Sequence, residues 1–372
     1  MTITRKLKIL YLVLEMDVGG LQRMVNQLIR MLDRQVFEPY ICCLDRGGIF
    51  YDQTVSNCAG SFILRRKPGP FDMKLFARLY SIVKKNKINT IHSHNGCSSY
   101  AALTGRLAGA KRIIHTDHGR LVPDRKSAVI EDRLSSYLMD RYVGVSEELT
   151  QYLAATVRIP PDKLLTILNG VDTDTFKPLT IEDRYALRRE LGIGAGDRII
   201  GTVCRLDPIK NLEFMITCMP AVVKLVPDAK LVIVGDGSAR KALEQLALAL
   251  RLEKTVLFLG QRDKIERILP AFDIYCCTSL SEGTSMTILE AMACGLPIVA
   301  SAVGGNLSLV DDTNGALFRL NDKDAFITIM STIFSDAESR YERGQISRRK
   351  VITSFSLDRM VTQYQRLYLP II

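Results

Sequence analysis

The sequence predicts an α/β protein made of two Rossmann-like, doubly wound parallel sheets in tandem, facing a cleft. Three observations carry this. Short apolar β-rich runs alternate with amphipathic stretches almost from end to end, as parallel strands with crossover helices require. The alternation lapses once, at "ILNGVDTDTFKPLTIEDR" (167–184), where turn formers and Pro178 replace helical periodicity, and then restarts. A chain of 372 residues also exceeds the usual size of one domain, so two cores are expected, with the division falling near 170/171.

The first half reads as strands at 7–14, 38–44, 61–64, 89–93, 112–116 and 141–146. Helices lie between them at 21–33, 72–87, 97–108 and 146–156. After the linker come strands at 198–206, 229–237, 255–260, 272–279 and 297–301. Helices begin at about 210, after 237 and at about 285. The amphipathic stretch "ITSFSLDRMVTQYQRLY" (352–368) is expected to be one long terminal helix.

Composition narrows the function classes. With 47% hydrophobic and 24% charged residues, the chain belongs with globular proteins rather than disordered ones. No apolar run reaches the length of a membrane helix, and the N-terminus lacks a signal-peptide pattern, so a cytoplasmic protein is expected. Nine cysteines show no C-x-x-C spacing for zinc or redox work, and most read as small buried hydrophobes. The net charge of +10 resides in residues 1–170, which hold 25 Lys+Arg against 15 Asp+Glu, partly in "RRKPG" (65–69) and "KKNK" (84–87). Such an excess suits an anionic substrate or an anionic membrane surface. Nucleic acid is not expected as a partner, because the basic runs lack interleaved aromatics or a recognition motif.

In open α/β sheets, ligands bind beyond the carboxyl ends of strands, so the candidate residues are those just after them. Gly19 and Gly20 follow the first strand and precede a helix, where backbone N–H groups can approach an anion. All four histidines fall in one window, His92, His94, His115 and His118. They straddle two strands without helical metal-ligand spacing, and no metal is expected. His92 and His115 read as core residues, while His118, on a loop beside Asp117 and Gly119, is the functional candidate.

In the second half, "CRLDPIKN" (204–211) brings Arg205 and Lys210 to a strand end, two cations suited to a diphosphate held without a metal. "VGDGSAR" (234–240) has Arg240 where a dinucleotide fingerprint needs its third glycine, which argues against a nicotinamide dehydrogenase and for no bound cofactor. "SEGTSMTILEAMACGLPIVAS" (281–301) is expected to place Glu282 at a strand end, "GTS" in a turn with free N–H groups, and Glu290 inside the following helix. A helix N-terminus favours a negative ligand, and a carboxylate accepts from paired hydroxyls. Two carboxylates also fit glycoside hydrolysis, and their spacing alone leaves that open.

Together these residues resemble the retaining, nucleotide-sugar-dependent glycosyltransferases of family 4 (glycosyl transferases group 1), which have the two-domain GT-B architecture. The resemblance spans essentially the whole chain. Its most specific part is E-x7-E from Glu282 to Glu290, followed by "AMACGLPIVAS" and "VGGN" and joined by "VSEEL" (145–149), "NGVD" (169–172) and "CRLDPIKN". The resemblance implies an acceptor-binding domain at 1–170, a nucleotide-sugar-binding domain at 171–355, and a terminal helix at 356–372 that crosses back to the first domain. It implies that Glu290 binds the ribose, and that Glu282 with the amides of Gly283, Thr284, Ser285 and Met286 meets the donor sugar and phosphates. Arg205 and Lys210 would neutralise the diphosphate leaving group, His118 would contact the donor sugar, and Gly20 would let the first loop approach donor and acceptor. The chain departs from the family in having Ser308 where relatives carry the Glu of "GG-x-x-E", and Asn211 in place of a Gly.

The expected function is therefore a metal-independent hexosyltransferase, moving a sugar from a nucleoside-diphosphate donor, UDP rather than GDP, to a glycan or lipid-linked acceptor in cell-surface polysaccharide or glycolipid synthesis. The basic first half suggests a peripheral position at the inner face of a membrane. The alternatives are a GT-B nucleotide-sugar epimerase and a non-catalytic nucleotide-sugar-binding partner subunit.

Overall fold

The structure, a computed structural model, describes residues 6–17, 19–67, 72–120 and 124–369. Val18 in the first glycine loop and Pro68–Gly69 of the basic run lie outside the described residues. The chain divides into two compact units, Met1–Gly170 with Leu357–Ile372, and Val171–Ser356.

Unit 1 holds seven strands: β1 (Leu7–Val13), β2 (Phe37–Cys43), β3 (Gly60–Ile63), β4 (Thr90–His94), β5 (Arg112–Asp117), β6 (Arg141–Gly144) and β7 (Leu164–Thr166). All pair in parallel in the order β3-β2-β1-β4-β5-β6-β7. The helices are α1 (Gly20–Met31), α2 (Tyr51–Val55), α3 (Met73–Asn86), α4 (Ser98–Ala108), α5 (Lys126–Tyr137) and α6 (Glu147–Tyr152), with α14 (Leu357–Tyr368) from the chain's end. Strand β1 is apolar on both faces because both are covered. Ile9, Tyr11 and Val13 pack in one core with Met24, Val25 and Leu28 of α1 and with Leu357, Met360, Val361, Tyr364 and Tyr368 of α14. Leu10 and Leu12 face the other, with Leu75, Leu79 and Val83 of α3 and Tyr100 and Ala101 of α4.

Unit 2 begins with α7 (Ile181–Glu190) and builds a six-stranded parallel sheet. Its strands are β8 (Arg198–Val203), β9 (Ala229–Val234), β10 (Val256–Gly260), β11 (Ile274–Cys277), β12 (Ile298–Ser301) and β13 (Gly315–Phe318). Their order is β10-β9-β8-β11-β12-β13. Around them lie α8 (Leu212–Leu225), α9 (Arg240–Ala249), α10 (Met286–Ala293), α11 (Asn306–Leu309), α12 (Lys323–Ser335) and α13 (Ala337–Ser354). In each sheet the chain winds outward one way and then the other, so one pair of central neighbours, β1/β4 and β8/β11, marks the reversal where ligand crevices form.

The structure differs from the sequence reading in instructive places. The expected single terminal helix is two, because Phe355 and Ser356 break it; Ser356 instead bridges Val171. Helix α7 starts inside the expected linker, capped by Thr180, whose hydroxyl accepts from the Asp183 amide. Strand β7 is three residues long, below what a period-two pattern can reveal. Helix α5 was unread for another reason. Its buried positions are Ser135 and Ser136, while Ile130, Leu134 and Tyr137 are exposed, so its polarity runs opposite to the usual amphipathic helix.

Candidate active site

Strands β8 and β11 are hydrogen-bonded neighbours, so the loops after their carboxyl ends emerge side by side. The loop after β8 carries Arg205 and continues into a 3-10 turn, Pro208–Lys210, rather than directly into a helix. Asn211 then adopts φ 52, and α8 begins at Leu212. That extra turn sends the Lys210 side chain across to the loop after β11, where its Nζ lies 2.6 Å from Glu282 Oε1. Burial alone would lower the Lys210 pKa, but the adjoining Glu282 charge and hydrogen bond outweigh it and the net shift is upward, so the ammonium stays charged.

Contrary to the sequence reading, Glu282 does not end a strand; β11 stops at Cys277. The intervening residues are used as ties. Thr278 Oγ1 donates to the carbonyls of Lys210 (2.9 Å) and Asn211 (3.1 Å), while Ser279 Oγ donates to Glu282 Oε1 at 2.6 Å. Behind them Ser301 Oγ donates to the Ser279 carbonyl, and Asn306 Nδ2 donates to the Ser301 carbonyl. A strand that continued to Glu282 would have alternated these groups between the two faces of the sheet instead of gathering them on one loop.

Glycines explain how the loops nest. Gly304, at φ +45, and Gly305 lie so close to the Glu282–Gly283 backbone that a β-carbon on either would sit 1.9 or 1.8 Å from a carbonyl oxygen there. The Arg205 loop is backed in the same way. Gly235 (φ +135) and Gly237 press on the carbonyls of Cys204 and Leu206, and the Leu206 amide donates to the Asp236 carbonyl. Arg205 itself is exposed and paired with Asp207 at 2.7 Å. Each cation expected to meet a diphosphate is thus already held by a carboxylate of its own unit.

Helix α10 starts directly after the Glu282 loop. Ser285 caps it, its hydroxyl accepting from the Ile288 amide, and Met286 is its first residue. Gly283 and Thr284 form the approach, half-buried. Glu290 sits one turn further in, 1% exposed, where its charge adds to burial in raising the Cys294 thiol. The structure therefore gathers Lys210, Glu282, Gly283, Thr284, Ser285 and Met286 at the β8/β11 edge, with Glu290 inside α10.

Gly20 and His118 belong to unit 1. Gly20 opens α1, whose N-terminus no side chain caps. His118 follows β5 on a loop held by Asn95, whose Oδ1 accepts from the His118 amide at 2.7 Å. Arg120 pins the same loop from below, paired with Asp117, Asp124 and Asp132 at 2.6 to 3.1 Å. The His118 Nε2 lies 3.0 Å from Nδ1 of His94, so the two rings share one proton between them. Burial, with a lesser contribution from His115, pushes His118 down to about 3, so both rings are neutral near pH 7.

His92 and His115 are core groups. His92 bonds Tyr368 Oη through Nδ1 (2.7 Å) and Thr116 Oγ1 through Nε2 (2.8 Å); His115 Nδ1 meets Ser93 Oγ at 2.9 Å. Tyr11 Oη donates to Tyr368 Oη, so α14 is tied to the sheet by a polar chain inside an otherwise apolar core. Among the described residues no group of three His, Cys, Asp or Glu side chains could hold a metal ion, and no helix is long and apolar enough to cross a membrane. Sequence reading named His94 only as one of four clustered histidines and passed over Thr278, Ser279 and Asn95. The available signal was hydroxyls or an amide directly following an apolar strand.

Known proteins bear on this arrangement. Residues 183–350 match the family of glycosyl transferases group 1, and residues 18–175 match glycosyltransferase family 4. The chain is 28% identical over 380 residues to a UDP-Gal:alpha-D-GlcNAc-diphosphoundecaprenol alpha-1,3-galactosyltransferase of Escherichia coli, covering 99% of this chain and 98% of that one. It is 30% identical over 269 residues to a GDP-mannose-dependent monoacylated alpha-(1-6)-phosphatidylinositol monomannoside mannosyltransferase of Corynebacterium glutamicum, covering 69% of this chain and 70% of the relative. The fold superposes on Anabaena HepE, solved in complex with UDP, with a TM-score of 0.86 at 21% identity over 97% of this chain and 99% of that one. With both halves matched and the two-sheet architecture shared, the chain belongs to the group 1, family 4 glycosyltransferases and is an enzyme of the GT-B fold.

Proposed function

We propose that the protein transfers a hexosyl group from a nucleoside-diphosphate sugar, UDP-linked rather than GDP-linked, to a lipid-linked or glycan acceptor in the synthesis of a cell-surface glycolipid or polysaccharide, with retention of anomeric configuration. The observation that carries this reading is the Lys210–Glu282 pair in front of the α10 N-terminus. It sets a persistent cation, a carboxylate and a helix N-terminus at one sheet edge, a combination suited to phosphate oxygens and sugar hydroxyls. The E. coli relative is named for a UDP sugar and a diphosphoundecaprenol-linked acceptor, and HepE was solved with UDP. The GDP-mannose enzyme of C. glutamicum is named for a lipid acceptor as well.

In this reading Lys210 and Arg205 neutralise the departing diphosphate, each leaving its carboxylate partner in part to do so. Glu282 and the amides of Gly283–Met286 orient the donor sugar and phosphates, and Glu290 holds the ribose hydroxyls. On unit 1, His118 meets the donor sugar as a neutral ring, able to donate or accept a hydrogen bond without adding charge. The Gly20 loop admits donor and acceptor. Substitution proceeds on one face of the sugar through an ion-pair-like state, the departing phosphate taking the acceptor proton. The basic first unit favours work at an anionic membrane surface.

Mass spectrometry of transfer products from a panel of UDP and GDP sugars, with a lipid extract as acceptor pool, tests the reaction. Donor interconversion without acceptor would replace it with epimerisation. Glu290→Gln is expected to raise KM for the donor about tenfold or more with a smaller change in kcat. Unchanged turnover and KM would remove the ribose assignment.

A further inference from the structure

Unit 1 carries an outward-facing apolar patch that its own core does not use. Helix α4 packs between α3 and α5 on one side of the sheet. Two side-chain bridges fix α4 and α5 side by side in parallel register. Ser99 Oγ, at the start of α4, donates to Glu131 in the middle of α5, and Arg106 Nε donates to the Leu138 carbonyl near the ends of both. Leu103 and Leu134 are each bracketed by those bridged positions, so they neighbour one another on the solvent side, with Leu107 beside Leu138. Ile130 and Tyr137 extend the same face of α5. Six large side chains are therefore exposed on two adjoining helices, Leu107 at 64%, Leu134 at 63% and Ile130 at 58% among them. The α5 end is tied by Lys163, whose Nζ donates to the carbonyls of Ser136 and Tyr137.

The charge beside this patch is one-sided. Helices α3 and α4 contain Lys74, Arg78, Lys84, Lys85 and Arg106 and no acidic residue. Lys74, Lys84 and Lys85 are exposed, and Lys87 follows them just past the helix end. Arg106 is paired with Asp140 at 2.9 Å, and in α5 Asp132 is taken up by Arg120 and Glu131 accepts from Ser99, so the cations of α3 carry the excess beside the patch. Apolar side chains able to enter an interface, flanked by cations, match a bilayer with anionic headgroups. A second copy of the chain meeting this face by two-fold symmetry would set the same cations against each other. Nucleic acid would leave the leucines without partners, and Tyr137 is the one aromatic of the six for a base to stack on.

We propose that the α3–α4–α5 layer of unit 1 docks on an anionic lipid bilayer, with Leu103, Leu107, Ile130, Leu134, Tyr137 and Leu138 entering the headgroup boundary and Lys84 and Lys85 facing the phosphates. This deepens the functional reading above, since a lipid-linked acceptor is presented at such a surface, but the docking is measured separately from transfer. The full-length protein is floated with vesicles of phosphatidylcholine alone or mixed with phosphatidylglycerol, at low and high salt. Binding is expected on the anionic vesicles only and to weaken with salt. Leu107→Gln with Leu134→Gln, and Lys84→Gln with Lys85→Gln, are each expected to lower partitioning about tenfold or more while circular dichroism stays unchanged. Equal binding to both vesicles, no binding, or variants that float like the wild type overturn the proposal. A wild-type dimer that Leu134→Gln converts to monomer also overturns it, in favour of a second copy. Donor-sugar turnover with a water-soluble acceptor, measured on the same preparations, separates the two ideas. Lost flotation with intact turnover concerns the membrane face, and lost turnover with intact flotation concerns the reaction.

Discussion

At the carboxyl edge of the first sheet the candidate side chains are neutral rings in a largely buried setting, His94 against His118, backed by His92, Tyr11 and Tyr368. At the same edge of the second sheet they are charges held in pairs, Lys210 with Glu282 and Arg205 with Asp207. The strand order reverses at equivalent places in both, so topology does not account for the contrast. Solvent does. The Lys210 and Glu282 side chains keep 23% and 12% of their exposure, enough for a paired ammonium and carboxylate, whereas complete burial drives imidazoles neutral. One edge presents paired charges, the other uncharged hydrogen-bonding groups held in place.

The sharpest way to break this contrast is Lys210→Ala. It removes the persistent cation and leaves Glu282 without its ion-pair partner, and transfer is expected to fall about 10²–10³-fold in kcat/KM, with Lys210→Arg recovering part of it. Activity within about threefold of wild type would show that the charged edge does not act on the leaving group.

Acid should separate the two units next. All four histidines lie in unit 1, and their folded pKa values are lowered, His115 to about 4 and His118 to about 3, with His92 and His94 also well below the ordinary value. Between pH 6.5 and 4 the unfolded chain binds more protons than the folded one, so this contribution is complete above 6.5 and is lost as pH falls. Each fully buried imidazole held neutral one unit below its ordinary pKa loses roughly 1.4 kcal/mol. Hydrogen exchange at pH 7.5 and 5.5 should show protection falling in β4, β5 and α14 more than in β8 and β11. Equal loss in both units would contradict the neutral-edge description.

The smallest expected effect is Tyr368→Phe. It deletes the partner of His92 and Tyr11 and should destabilise unit 1 by about 1–3 kcal/mol, read as a lower denaturant midpoint, while the KM for donor is unchanged. No change in midpoint would mean that α14 is held by its apolar face alone.

Much of the fold was legible because buried parallel strands are continuous apolar runs, as in β1, β8 and β9. What escaped were short or inverted elements: β7, with three residues, and α5, whose apolar side faces out. In the candidate site, Lys210 and Glu282 were legible as a cation and an acid in loops beyond strands, and Glu290 as an acid inside the following helix. The ties from Thr278 and Ser279 were not, because a hydroxyl after a strand looks the same whether it faces solvent or holds a neighbouring loop.

The sequence by itself determined two α/β halves, the division near residue 170, the basic first half and the identities of the charged candidates, since composition and periodicity are local. Only the tertiary structure decided that Lys210 meets Glu282 across 72 positions, that glycines 304 and 305 seat that loop, that α14 joins unit 1 through Tyr364 and Tyr368, and that α5 turns its leucines outward. Those outcomes depend on which strands become neighbours and which helix face finds a core, and neither is written in any single window of the chain.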